Sequence, residues 1–176
     1  NYFTILGLVK SDRTELAKGM VDNFCFMYNR FGIIPMRNRY YNVGTSQIPF
    51  LTSMALEVFS KDKNISWLSN VMLIAELELE KYWMNHELTE RHITENELSR
   101  YCDHFITHLG SEHESGWDMT SRFNNRCLDY LPVDLNSCLY KYEVDLCDFY
   151  KSQNIYAKYK FYEEKAESRK KKMMDC

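Results

Sequence analysis

Between residues 64 and 82 the side chains Leu68, Val71, Met72, Ala75, Leu79 and Tyr82 recur at steps of three and four, which a 3.6-residue helix gathers into one stripe. A strand needs a period of two, and alternating runs of that kind are almost absent from the chain. The same helical repeat appears between residues 11 and 32 in Leu16, Met20, Phe24, Met27 and Phe31, with Ser11 or Asp12 as cap and Gly32 as stop. Ser46 is expected to cap a second helix with Pro49 in its first turn, running to about Lys61, and the third starts at Asn64 or Ser66 and ends before His86-Glu87. Asn64-Ile65-Ser66 also fits the N-glycosylation pattern, but reads first as a helix start. A polar stretch over 85–96 is loop or frayed helix, followed by a short helical piece to His108. Asp134 then caps a long helix carrying Leu135, Leu139, Leu146 and Phe149, and a last helix starts near Ser152 or Asn154. The fold class is all-α, built from antiparallel helical hairpins without an exact sequence repeat.

The 176 residues are 45% apolar and 15% aromatic, ample for the core of one domain. Lys and Arg number 22 against 25 Asp and Glu, a balance that forecasts neither a nucleic-acid surface nor an anionic membrane as partner. Lys170, Lys171 and Lys172 read as a solvated helix end. No apolar run is long enough for a transmembrane helix. The opening NYFTILGLVKS has neither a basic leader nor a small-residue cleavage site, and reads as a chain already in mid-course, while the last helix has no stop signal and looks cut. The six cysteines form no CxxC pair, so free thiols in a reducing, cytoplasmic compartment are expected.

Candidate chemistry concentrates in the loops. All five histidines lie between His86 and His113, and His104 and His108 would share a helix face, but the HExxH context is missing, so no metal is expected. Ser115 and Ser121 lack the strand and the G-x-S-x-G elbow of an activated serine. Asp118 is different. It follows Gly116-Trp117, and an acid partly desolvated by an indole has its pKa lifted towards the range that protonates a leaving group. Glycoside hydrolysis needs such an acid, with a second carboxylate across the sugar and aromatic and hydrogen-bonding side chains around it. Trp117, Tyr40, Tyr41, Asn38, Arg39, Gln47 and Arg122 are candidates for the latter. From spacing alone the better reading of Asp118 is the cap of a helix beginning at Met119.

ESGWDMTSRF, residues 114–123, resembles the ESGWDxSSRF/W motif of the trehalase family of glycoside hydrolases, and LPVDLNSCLYKYEVDL, residues 131–146, resembles the family's LPVDLNxxLYKxExDL. GIIPMRNRYYNVGTSQIPF, residues 32–50, is similar to its G-x-I-P-N-G-x-R-x-Y-Y-x-x-R-S-Q-P-P-F signature, and the three keep the family's order. The resemblance implies part of an (α/α)6 toroid and inverting hydrolysis of α,α-trehalose, or a related α-glucoside, to glucose. It implies Asp118 as general acid and Ser46, Gln47, Gly116, Trp117 and Arg39 at the sugar, with no cofactor. Asp134 and Asn136 would fix the next helix.

Three departures qualify that picture. Thr45 stands where the family has Arg, Met36 where it has a substrate-contacting Asn, and Arg37 where it has Gly. A lost guanidinium removes charge-assisted hydrogen bonds of about 1.5–3 kcal/mol each, so trehalose affinity should fall unless Arg37 or Arg39 substitutes. Between ELSRYCD and the Asp118 motif the family's R-P-E segment has no counterpart. Nothing after Asp118 resembles the region of the family's general base, so residues 1–176 are expected to be a central fragment of one catalytic domain, with the base outside it and no activity in isolation. The competing expectation is a catalytically degenerate sugar-binding or structural homologue.

Overall fold

The computed structural model of the chain describes residues 1–39, 41, 43–85 and 91–175. The expectations attached to Tyr40, His86, Glu87 and Cys176 lie outside the described residues. Seven α-helices account for most of the rest: α1 (Tyr2–Lys10), α2 (Thr14–Phe31), α3 (Leu51–Asp62), α4 (Ile65–Glu78), α5 (His108–Glu114), α6 (Val133–Ser152) and α7 (Tyr156–Asp175). Two isolated β-bridges, Pro35 with Ser46 and Ile93 with Ser99, are the extended pairings among the described residues. The all-α expectation holds.

Three tight turns make three hairpins. Asp12, Lys63 and Asn154 each adopt positive φ between α1 and α2, α3 and α4, and α6 and α7. Asn64 caps α4 by accepting from the Trp67 amide at 3.0 Å. α1 and α2 pack on α3, α2 also on α4, and α6 on α3 and α4. With the short turns at one end of the hairpins, the long connections 32–50, 84–107 and 115–132 must gather at the other.

Several sequence expectations are corrected here. The opening segment, assigned to no element, is α1, and it buries Ile5 and Val9. The α2 stripe is displaced: Ala17, Val21, Phe24 and Tyr28 face the core, while Leu16 is 57% and Phe31 43% exposed. Ala17 and Val21 are small enough to let α2 approach its three neighbours closely, whereas the larger apolar residues made the more conspicuous pattern. Ser46 caps no helix; it lies in the bridge to Pro35, and α3 begins at Leu51, past Pro49. The expected helical piece before His108 is an irregular chain, and the helix begins at His108, capped by Thr107 through the Gly110 amide at 3.0 Å. Asp103 diverts the chain there, since its carboxylate collects the Phe105 and Thr107 amides at 3.1 and 2.7 Å. Asp134 lies inside the first turn of α6, whose cap position is Pro132. The final helix starts at Tyr156.

The stripe of α4 behaves as expected: Leu68, Val71, Met72, Ala75 and Leu79 are core residues, and the helix widens into a π-helical turn over Leu79–Trp83 that carries Tyr82 half-buried. α4 also buries two acids. Glu76 accepts from the Tyr150 and Tyr162 hydroxyls and from Lys158. Glu78, 1% exposed, accepts from the Tyr142 hydroxyl. Burial pushes the Glu78 carboxyl up to about 7, opposed by the Tyr142 hydrogen bond. Between α6 and α7 a third acid, Glu143, is paired with Arg169 through Nε and Nη2 at 3.0 Å each, both side chains 2% exposed. Arg169 Nη1 continues to Asn136 Oδ1 at 2.9 Å, and Asn136 pairs with both the amide and the carbonyl of Ser99 at 2.8 Å. One buried network thus joins α6, α7 and the 84–107 connection.

Two outcomes follow from these acids. A carboxyl whose folded pKa lies above its ordinary value binds its proton preferentially in the native state. Its contribution is therefore largest below about pH 4.5 and is lost as pH rises towards about 7. Urea denaturation across that window should show the loss, on the order of 3 kcal/mol, and Glu78→Gln should flatten it. Arg169→Met strands Glu143 and should cost about 3–5 kcal/mol in the same measurement, with Arg169→Met/Glu143→Met recovering most of it.

Candidate active site

The loop end of the bundle is organised by Glu114, the last residue of α5 and fully buried. Its Oε1 accepts from the Ser46 amide at 3.0 Å and from the Tyr82 hydroxyl. Its Oε2 accepts from the Cys102 amide at 2.7 Å and lies 3.1 Å from His92 Nε2, which donates in the tautomer that this contact requires. One carboxylate therefore ties the 32–50 and 84–107 connections and the π-helical turn to the end of α5, from which the third connection leaves. Glu114 is no opposing base, because both of its oxygens are engaged away from solvent.

The 32–50 loop is fixed by the bridge at Pro35 and Ser46. Gln47 N donates to Ile34 O at 2.7 Å, and Met36 N to Thr45 O at 3.1 Å. Ser46, expected at the sugar, is fully buried, with its hydroxyl donating to Ile34 O at 3.2 Å. Extended geometry sends the next residue the other way, so Gln47 lines a cleft of about 480 Å³ with Asn1, Asn23, Met36, Arg37 and Asn38. The Gln47 amide is held in place, donating to Met36 O at 2.6 Å and accepting from Asn1 Nδ2 at 3.1 Å. Thr45 opens on a neighbouring cleft of about 550 Å³ with Gly44, His104, Phe105 and His113. Arg37 and Arg39 are exposed on the loop.

The 115–123 segment meets this loop directly: a Cβ on Gly116 would lie 3.4 Å from Ile48 Cδ1, next to Gln47. Gly116 has φ +72° and Asp118 φ 56°, so the chain makes two left-handed steps within three residues. Asp118 is exposed, and desolvation by Trp117, itself 55% exposed, is not realised in this structure. Nor does Asp118 cap a helix; Thr120 occupies that place for the 3-10 turn Ser121–Phe123. The indole turns instead to Asp134, Trp117 Nε1 donating to Asp134 Oδ2 at 2.9 Å. Arg122 Nη1 and Nη2 reach the two oxygens of Asp134 at 3.1 and 2.5 Å, and the Tyr101 hydroxyl adds a fourth bond at 3.0 Å. Burial raises the Asp134 carboxyl, but the bonds from Arg122 and Trp117 outweigh it and hold the group below its usual value.

Sequence reasoning thus located the loops and missed their fasteners. Glu114 opens the ESGWDMTSRF motif, but a buried carboxylate gives no signal of its own in a single sequence. His104 and His108 do not share a helix, and no group of three or more His, Cys, Asp or Glu suited to a metal ion occurs among the described residues. Cys25, Cys102, Cys127, Cys138 and Cys147 are free thiols. Among the described residues no helix is long and apolar enough to cross a membrane. Glu114→Gln replaces an acceptor with a donor amide facing donors, and thermal or urea unfolding should register a loss of about 2–4 kcal/mol, whatever substrate is used.

Comparison with known proteins agrees with this geometry. The family model described as Trehalase matches residues 1–109 and 103–176. The chain is similar to the cytosolic neutral trehalase of Saccharomyces cerevisiae, 31% identical over 86% of this chain and 27% of that protein. It is likewise similar to the trehalase of Dictyostelium discoideum, 30% identical over 96% of this chain and 36% of that protein. Among solved structures, neutral trehalase Nth1 from Saccharomyces cerevisiae superposes with a TM-score of 0.86 at 27% identity, over 99% of this chain and 42% of that one. The chain therefore spans about a quarter to a third of the length of these curated relatives. Its helices follow the arrangement of the (α/α)6 toroid of the trehalase structure. On sequence and fold together, the chain belongs to the trehalase family.

Proposed function

We propose that these residues form part of one trehalase-like catalytic domain that hydrolyses α,α-trehalose, or a related α-glucoside, to glucose with inversion, and that Asp118 is its general acid. The observation that carries this reading is the junction at Ile48. There Gly116, two residues before the exposed Asp118, packs against Ile48, the residue after the cleft-lining Gln47. Gln47, Gly116, Trp117 and Arg39 would contact the sugar, and Ser46 would act from behind, setting the bridge that presents Gln47.

The acid works by protonating the glycosidic oxygen as the bond to the departing glucose breaks, while a carboxylate about 6.5–9.5 Å away activates water on the opposite face. Carboxylates within the two downstream motifs are committed elsewhere: Glu114 to the loop junction, Glu143 to Arg169, and Asp145 to Thr52 Oγ1 at 2.9 Å and to Lys141. This supports a base contributed by residues beyond these. No organic cofactor or metal enters the reaction, and the partner is a small carbohydrate. The free thiols, and the cytosolic designation of the yeast relative, support a reducing, cytoplasmic setting.

A polypeptide extended to the length of the relatives, incubated with α,α-trehalose under proton NMR, should release α- and β-glucose in equal early amounts. Asp118→Asn should abolish that release. Glucose at parental rates from the variant would remove Asp118 from the mechanism, and release from residues 1–176 alone would place the base inside them.

A further inference from the structure

We infer that Asp134 is the positioning residue of this site, fixing the Asp118 turn to the first turn of α6 through Trp117 and Arg122; the inference rests on Asp118 being the general acid. Asp118 needs such support. It is exposed and has left-handed backbone geometry, which a non-glycine residue adopts at a cost. A carboxylate on a free turn would sweep a wide volume, and a misplacement of about 1 Å can cost about 100-fold in rate.

The supports bracket Asp118 on both sides. On one side the Trp117 amide donates to Ser115 Oγ at 3.2 Å and its indole to Asp134. On the other the Thr120 amide donates to the buried Glu112 at 3.0 Å, and Arg122 grips Asp134 with both terminal nitrogens. The guanidinium also lies 5.0 Å from the Trp117 ring centroid, so Trp117 before Asp118 and Arg122 after it are in contact with each other as well as with Asp134. Asp134 suits the task. It belongs to a 20-residue helix packed on α7, its negative charge sits at the favourable end of that helix, and the Tyr101 hydroxyl holds the same oxygen that Trp117 uses. Because Asp134 reaches Asp118 only through its neighbours, its chief effect falls on where the acid stands, with a smaller one on binding through Trp117.

The test uses the polypeptide at the length of the relatives, with Asp134→Asn, Arg122→Gln, their combination, Arg122→Lys and Asp118→Asn measured for kcat, KM and thermal midpoint. Asp134→Asn and Arg122→Gln should each lower kcat about 100-fold with KM changed less than threefold, and the double variant should be no worse than threefold below either single. Arg122→Lys keeps one of the two contacts and should lose about tenfold. It lies at the partly exposed edge and serves where Asp134→Asn does not fold. Asp118→Asn inactive with Asp134→Asn and Arg122→Lys near parental kcat overturns the positioning role alone. Losses that multiply in the double variant, or that fall on KM, overturn it too. Parental kcat in Asp118→Asn overturns the underlying reading of the acid.

Discussion

Everything at the loop end of this molecule depends on one buried carboxylate. Three long connections leave the helical hairpins there, and a helical bundle offers them no sheet edge on which to satisfy their amides. Glu114 supplies acceptors in place of a ladder, taking the Ser46 amide from the first connection, the Cys102 amide and His92 from the second, and Tyr82 from the π-helical turn. Four partners around two oxygens leave the charge fully hydrogen-bonded, which is the condition for burying it at tolerable cost. α5 is only seven residues long, and its chief consequence is the placement of that group.

The same device recurs along the chain. Asp103 gathers the amides of Phe105 and Thr107 and the Ser111 hydroxyl, and Asn136 does for Ser99 what a neighbouring strand would do. Packing adds to it. A Cβ on Gly110 would fall 2.4 Å from Asp103 Cγ, so the glycine at the start of α5 is what lets the Asp103 turn close against the helix. The functional loops are therefore held by acid-to-amide bonds between segments distant in sequence, each anchored on a helix whose own position is set by apolar packing.

That division explains what could be read from the sequence. Apolar periodicity is local, and it located α2, α3, α4, α6 and α7 to within a few residues. It failed where two periodic sets compete, as on α2, where Leu16 and Phe31 are the bulkier residues but Ala17 and Val21 are the ones packed. It failed again where a capping residue had a stronger distant partner. Ser46 and Asp134 are both good caps by type, yet Ser46 is claimed by Glu114 and Ile34, and Asp134 by Arg122, Trp117 and Tyr101. The family motifs marked the segments that spacing could not, because ESGWDMTSRF holds one end of such bonds, Glu114, Trp117 and Arg122, and the other motifs hold Ser46 and Asp134.

The departures from the family pattern can then be sorted by what they touch. At position 36 the backbone still serves the site: Met36 N pairs with Thr45 O, and Met36 O receives the Gln47 amide. Thr45 likewise keeps its place in the bridge while its side chain faces the cleft beside His104 and His113. Both changes therefore leave the backbone pairing that orients Gln47 intact and alter the walls of the two clefts. A chain losing its fold-level constraints would be expected to lose the buried ties first, since a half-satisfied carboxylate such as Glu114 or Asp134 destabilises more than an altered cleft wall does. Here the ties around Glu114 and Asp134 are complete, and the departures from the family pattern fall on the cleft walls.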